Sequence, residues 1–289
     1  MSRGQIMTWA AAAILASLAA LAIGAPLVAA ILGHDPNEVD LLARFSPPSA
    51  SHPFGTDDIG RDELLRLLYG GRVSLAVGLT AAVIAATIGT AIGLLAGYFG
   101  GRLDALLMRL TDTVIALPLL PLLIVLAAVD LAKLGVPADL ATAQETSLYR
   151  IVTIIALVGW TTVARLVRAT TLSLLTRDFV RAARALGAGP ARIMLVHILP
   201  NALSPIIVAT TLAVGNVILF ESVLSFLGLG IQPPIASWGN MLTNAQELIQ
   251  TDPMLAIWPG VFILLTVASC NLLGDALQEA LDPRKRLDR

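Results

Sequence analysis

Side chains that could do chemistry are few in this chain and poorly spaced for it. Its two lysines, Lys133 and Lys285, follow Ala132 and Arg284. Neither completes the Gly-Lys-Ser/Thr step of a phosphate-cradling P-loop, so ATP hydrolysis by that route needs another chain. There is no H-E-x-x-H, no G-x-S-x-G and no cysteine–histidine pairing suited to nucleophilic catalysis. Cys270 is the single cysteine and lies in an apolar run, which excludes a disulfide framework and a cysteine metal cluster. His34 and His52 stand among carboxylates, but without ligand spacing they read as solvated loop residues and not as a metal site. The one carboxylate in an unusual place is Glu221, which heads an apolar stretch near membrane depth. A charge there is costly and counts as a functional candidate, the alternative being that it snorkels outward or pairs locally.

The elements that must carry these residues follow from composition. With 56% hydrophobic and 13% charged residues and a mean hydropathy of +0.81, the chain has too little polar surface to cover a soluble globule. It belongs in a bilayer, where a crossing helix takes about 20 apolar residues. Six runs come near that length: 7–32, 73–99, 114–132, 148–175, 193–220 and 255–273. The fourth is the weakest, because Arg165 and Arg168 stand one turn apart on one face, and its far end is expected to project into water. The first is 26 residues long, against about 7–15 for the apolar core of a cleaved signal peptide. It is expected to stay as a span.

Lysine and arginine in short loops mark the cytoplasmic side. With both termini inside, the inner segments hold thirteen of the nineteen basic residues, six of them between Arg165 and Arg192. The expected division is a first transmembrane helix at 1–32, an outer hydrophilic segment at 33–70, a five-helix core at 71–280 and a cytoplasmic tail at 281–289. In the outer segment, 63–69 reads as a short helix after a turn. Gly89, Gly93 and Gly97 clear one face of the second span for another backbone. Pro118 and Pro121 in the third run, and Pro200 and Pro205 in the fifth, remove backbone donors and predict bent or locally open helices. The stretch ESVLSFLGLGIQPPIASWGNML, from Glu221, is too apolar for a free loop and too broken for a span, and is expected to fold back on the bundle mouth.

One short polar interruption stands out, DFVRAARALGAGPARIMLVHILPN at 178–201. Asp178 is suited to cap a helix over 179–188 that Gly187, Gly189 and Pro190 bring to an end. Phe179, Ala183 and Leu186 fall on one face by their i, i+4, i+7 spacing, with Arg181 and Arg184 elsewhere. Small alanines at 182, 183 and 185 let a partner surface approach closely. Two readings are open, a lever gripped by a partner and an interfacial helix resting on anionic headgroups.

The run Arg181-Ala182-Ala183, then Gly187, then Ile198-Leu199-Pro200 resembles the EAA loop of ATP-binding-cassette importer permeases, with Arg181 where that motif has Glu. HPFGTDDIGRDELLRLLYGGRVSL, GRLDALLMRLTDTVIALP, ESVLSFLGLGIQPPIASWGNML and NLLGDALQEALDPR resemble the dipeptide, oligopeptide and nickel branch of those permeases. The resemblance implies an all-α membrane protein of six transmembrane helices with the type I importer fold, N-in and C-in, multi-pass in the cytoplasmic (inner) membrane. It implies four kinds of partner: a second homologous permease subunit, two ATPase subunits, an external solute-binding protein and the lipid bilayer. ATP and Mg would sit on the ATPases, with no cofactor in this chain and no nucleic acid. The ATPase-coupling residues would be Phe179, Arg181, Ala182, Ala183, Leu186, Gly187, Leu199 and Pro200, and Glu221 and Pro205 are translocation-path candidates. The cargo stays open among peptides, nickel chelates, glutathione and similar solutes. An ion-coupled secondary transporter or channel is the alternative, but it would want several ionisable residues at mid-membrane depth where the runs offer almost none besides Glu221.

Overall fold

A computed structural model describes residues 3–137, 139, 143–243 and 245–281. The basic tail at 282–289 lies outside the described residues, and Leu281 belongs to the last helix instead of opening that tail. Among the described residues the chain is helical throughout, apart from loops and an isolated bridge between Thr56 and Asp62. The helices are α1 (Arg3–Ile23), α2 (Ala25–Leu32), α3 (Glu63–Phe99), α4 (Gly101–Ala116), α5 (Leu119–Ala127), α6 (Gln144–Leu175), α7 (Asp178–Ala185), α8 (Pro190–Phe226), α9 (Ala245–Thr251) and α10 (Met254–Leu281).

Five of them, α1, α3, α6, α8 and α10, are long and apolar enough to cross a bilayer unbroken, and the pair α4–α5 makes a sixth crossing only as a broken one. Each departure from the expected runs has a local cause. The first run divides at Gly24 because Pro26, in the first turn of α2, cannot donate to the preceding turn. The run at 114–132 is broken by an 88° bend. Leu117 precedes Pro118 and is pushed into extended backbone, with ψ 137, so the winding stops there. Beyond the bend, α5 has nine residues and is about 14 Å long, less than half a hydrocarbon core.

The expected short helix at 63–69 is instead the first two turns of α3, which runs 37 residues, about 55 Å, straight through Gly70 and Gly71. Those glycines are tolerated because the folded-back segment lies on them, with Ser237 over Gly70 and the Trp238 ring over Gly71. Asp62 caps this helix, its carboxylate accepting from Leu65 N–H at 2.7 Å.

At the centre, α3 packs along most of its length on α6 and also touches α1, α8 and α10. The glycine face explains how closely. A Cβ at Gly89 would lie 2.5 Å from Trp160 O, at Gly93 2.6 Å from Ala164 O, and at Gly97 2.7 Å from Thr171 Cβ. Two backbones therefore meet where side chains would keep them apart. Gly93→Val should destabilise the chain by about 1–3 kcal/mol through overpacking against backbone. The check is a lowered unfolding midpoint in detergent, with Gly159→Ala, whose Cβ would meet Ala85 at an ordinary 3.5 Å, as the unaffected control.

Candidate functional site

The segment between α6 and α8 is built to be rigid. α7 is eight residues, Asp178–Ala185, and begins one residue earlier than expected. Arg177 therefore holds the cap position in extended backbone, and Asp178 sits in the first turn without a capping bond, where the helix dipole favours its charge. The C-terminus closes by two hydrogen bonds, Ala188 N–H to Ala183 O and Gly187 N–H to Arg184 O, both 3.0 Å. This six-to-one and five-to-two pattern needs a left-handed residue, and Gly187 supplies it at φ 82. Nothing lies within 4 Å of where its Cβ would be, so backbone conformation alone demands glycine there.

The expected apolar face of Phe179, Ala183 and Leu186 is divided by the fold. Ala183 turns inward together with Val180, which is fully buried against Leu94, Val167, Ile193 and Ile198. Phe179, 42% exposed, and Leu186, 89% exposed, point out beside exposed Arg181, Ala182 and Arg184. The separation arises because Val180 and Ala183, three apart, share the docked side, while Leu186 lies beyond the last helical turn. Val180 is the anchor that sequence reasoning missed, and it is visible only as one more apolar residue between polar ones.

Beyond Gly189 the chain enters α8 through a π-helical turn, Ile193–Ile198, with Leu199 N–H bonded to Met194 O. Pro200 follows at once. A wider turn there absorbs the crowding and missing donor that proline imposes. Leu199 is half-buried against the Val180 cluster and Pro200 is exposed.

Arg165 is exposed and Arg168 half-buried, and both find acids on α4. Arg168 grips Asp104 of α4 with both Nε and Nη2, the latter at 2.6 Å, and Arg165 Nη2 meets Asp112 at 2.5 Å. The fork-to-fork pair fastens α4 to the same end of α6 that carries α7.

The translocation-path candidates separate. A mostly apolar hollow of about 570 Å³ opens behind the bend at Pro118, between Leu119 and Leu123 of α5, Gly159 and Thr162 of α6, and Asn216 and Phe220 of α8. Pro205 lines a neighbouring one of about 430 Å³ with Leu166, Ser204, Val208 and Gln278. Glu221 lines neither. It is fully buried, with Ser225 Oγ donating to one carboxylate oxygen at 2.7 Å and Ser74 Oγ to the other at 3.2 Å. Those hydroxyls in turn accept from Ile231 N–H and Trp238 N–H, so the carboxylate ties the folded-back segment to α3 and α8.

Residues 89–287 match the family described as binding-protein-dependent transport system inner membrane component. The dipeptide transport system permease protein DppC of Alkalihalophilus pseudofirmus is 41% identical over 94% of this chain and 84% of its own length. The oligopeptide transport system permease protein OppC of Escherichia coli is 38% identical over 94% and 85%. Among solved structures, the inward-facing MetNI methionine ABC transporter superposes with a TM-score of 0.57, at 18% identity, over 75% of this chain and 96% of that one, and shares its fold.

Replacing Val180 by Asp would put a charge into an apolar socket at a cost of about 3 kcal/mol. Amide exchange over 178–188 should quicken about a hundredfold while α3 and α6 keep their protection, as read by hydrogen-exchange mass spectrometry. These matches, the broken six-crossing bundle and the short helix locked between two of its spans have one meaning: this chain is a multi-pass permease subunit of the binding-protein-dependent transport system inner membrane component family.

Proposed function

We propose that this chain is one of two membrane subunits of an ATP-driven importer of peptides in the cytoplasmic membrane, with both termini inside. α7 is its coupling helix. ATP and Mg bind on two separate ATPase subunits, and an external solute-binding protein delivers the cargo. The observation that carries this reading is the asymmetry of α7. One side is plugged into the bundle by Val180 and Ala183, while Phe179 in the helix and Leu186 at its C-terminal cap are left apolar and outward beside Arg181 and Arg184. An exposed apolar pair on a rigid polar helix suits a protein cleft, where displacement of the partner would be passed to α8 through the short Gly187–Gly189 link. The arginines of this end and the positive-inside rule support its placement on the cytoplasmic side. A peptide cargo is supported by the names of the relatives.

The hollow behind the Pro118 bend forms part of the solute path, its walls moved by α8 when α7 moves. Family membership and the near absence of mid-membrane charges leave the ion-coupled reading without support.

The test uses proteoliposomes holding this chain with its partner permease and ATPases, plus the binding protein. Gly187→Val forces a branched side chain into left-handed backbone, at about 1–2 kcal/mol, and should skew the handle. Uptake of labelled dipeptide should fall about tenfold while membrane insertion is intact and ATP hydrolysis continues. Unchanged ATP-dependent uptake would remove the coupling role from α7.

A further inference from the structure

At the end of α3 farthest from α7, the bundle encloses a polar cavity of about 330 Å³, within the size range of small-molecule sites. One wall is the first turn of α3 with the loop before it, including Asp57, Arg61, Glu63 and Arg66, and the facing wall is the folded-back segment with Gln232 and Asn240. Two of these charges are unusual. Glu63 is 3% exposed and Arg66 4% exposed, one helical turn apart on the same face. Yet among the described residues no ion pair joins them. Glu63 Oε1 and Arg66 Nη1 are both buried without a hydrogen-bond partner. The nearest acid to Arg66, Asp57, is 3.6 Å from its Nε and is already committed to Arg61 at 2.6 Å.

Arg66 Nε thus has an ion pair with Asp57, but leaving a buried guanidinium nitrogen of Arg66 and a buried carboxyl oxygen of Glu63 unmet at a cavity wall is costly unless a ligand meets them. The pair narrows the ligand. A lone anion would satisfy Arg66 and worsen Glu63. A metal ion would do the reverse, and no cluster of three metal-ligating side chains occurs among the described residues. A small molecule bearing both an ammonium and a carboxylate answers both, with the planar guanidinium suited to the carboxylate.

We infer that this cavity is a binding site for a small zwitterion, an amino acid or the charged ends of a short peptide, with Arg66 receiving the carboxylate and Glu63 the ammonium. The inference rests on the importer reading above for the side from which solute arrives. The site lies where solute released outside would meet the permease before the apolar hollow.

The assembled transporter without its binding protein, in lipid nanodiscs, would be titrated with L-alanine, L-alanyl-L-alanine, the N-acetyl dipeptide and the dipeptide amide, with binding followed by saturation-transfer NMR. At least one free zwitterion should bind saturably, and blocking either end should weaken binding tenfold or more. Binding of alanine assigns the site to amino acids, and binding of the dipeptide alone assigns it to peptide termini. Arg66→Gln should erase the preference for dipeptide over its amide, and Arg66→Lys should restore part of it. Glu63→Gln should erase the preference for dipeptide over the acetylated form. Absence of saturable binding, equal binding of blocked forms, or assembled variants that keep both preferences would overturn the site. If Arg66→Gln fails to assemble, Arg66→Lys alone decides, because loss of the guanidinium fork must change affinity for the dipeptide and not for its amide. Peptide uptake with the binding protein restored separates the two readings. Uptake without saturable binding sinks the site alone, and saturable binding without peptide uptake sinks the cargo assignment alone.

Discussion

The backbone-to-backbone approach of α3 and α6 is the constraint on which the other parts rest. Lipid tails are as apolar as leucine, so helices inside a membrane gain little from hiding hydrophobic surface and must gain from close packing. Gly89, Gly93 and Gly97 provide that closeness against Trp160, Ala164 and Thr171. The two helices become one beam about 55 Å long on the α3 side, with different equipment at each end. Moving them apart would open the socket for Val180, whose walls include Leu94 of α3 and Val167 of α6.

At the α7 end of the beam, several independent fastenings converge on one short helix. Val180 and Ala183 dock it, the closing bonds at Gly187 fix its exit, and the π-helical turn sets the start of α8. Arg168 and Arg165 fasten α4 to the same place, and α4 leads through the Pro118 bend into the wall of the apolar hollow. A push on α7 thus has short routes to two walls of that hollow, through α8 directly and through α6, α4 and α5.

The opposite end uses buried polar groups in two contrasting ways. Glu221 is satisfied by neutral donors within the chain, so it works as a knot between α3, α8 and the folded-back segment. Trp238 reinforces that knot, donating through Nε1–H to Leu67 O at 2.9 Å. Glu63 and Arg66, in the first turn of α3, are also buried, and although Arg66 Nε meets Asp57, Glu63 Oε1 and Arg66 Nη1 find no partner in the chain. A satisfied buried carboxylate holds structure, whereas an unsatisfied pair beside a cavity has capacity left for something else.

Hydropathy and the spacing of small residues were enough to establish a helical membrane bundle, the glycine face of α3, the break at Pro118 and a short helix ended by Gly187. Each is a local property, set by transfer of side chains into lipid or by backbone conformation at one residue. Which side of α7 would dock was not legible, because Phe179, Val180, Ala183 and Leu186 are equally apolar in sequence, and only the positions of Leu94 and Val167 choose among them. Nor was the fate of the charges. Arg168 finds Asp104 across 64 positions and Glu221 finds Ser74 across 147, while Glu63 and Arg66, three apart, do not pair. Composition decided that this chain lives in a membrane. Tertiary packing alone decided which polar groups are matched and which are left facing a cavity, because pairing depends on distances between segments that no local pattern encodes.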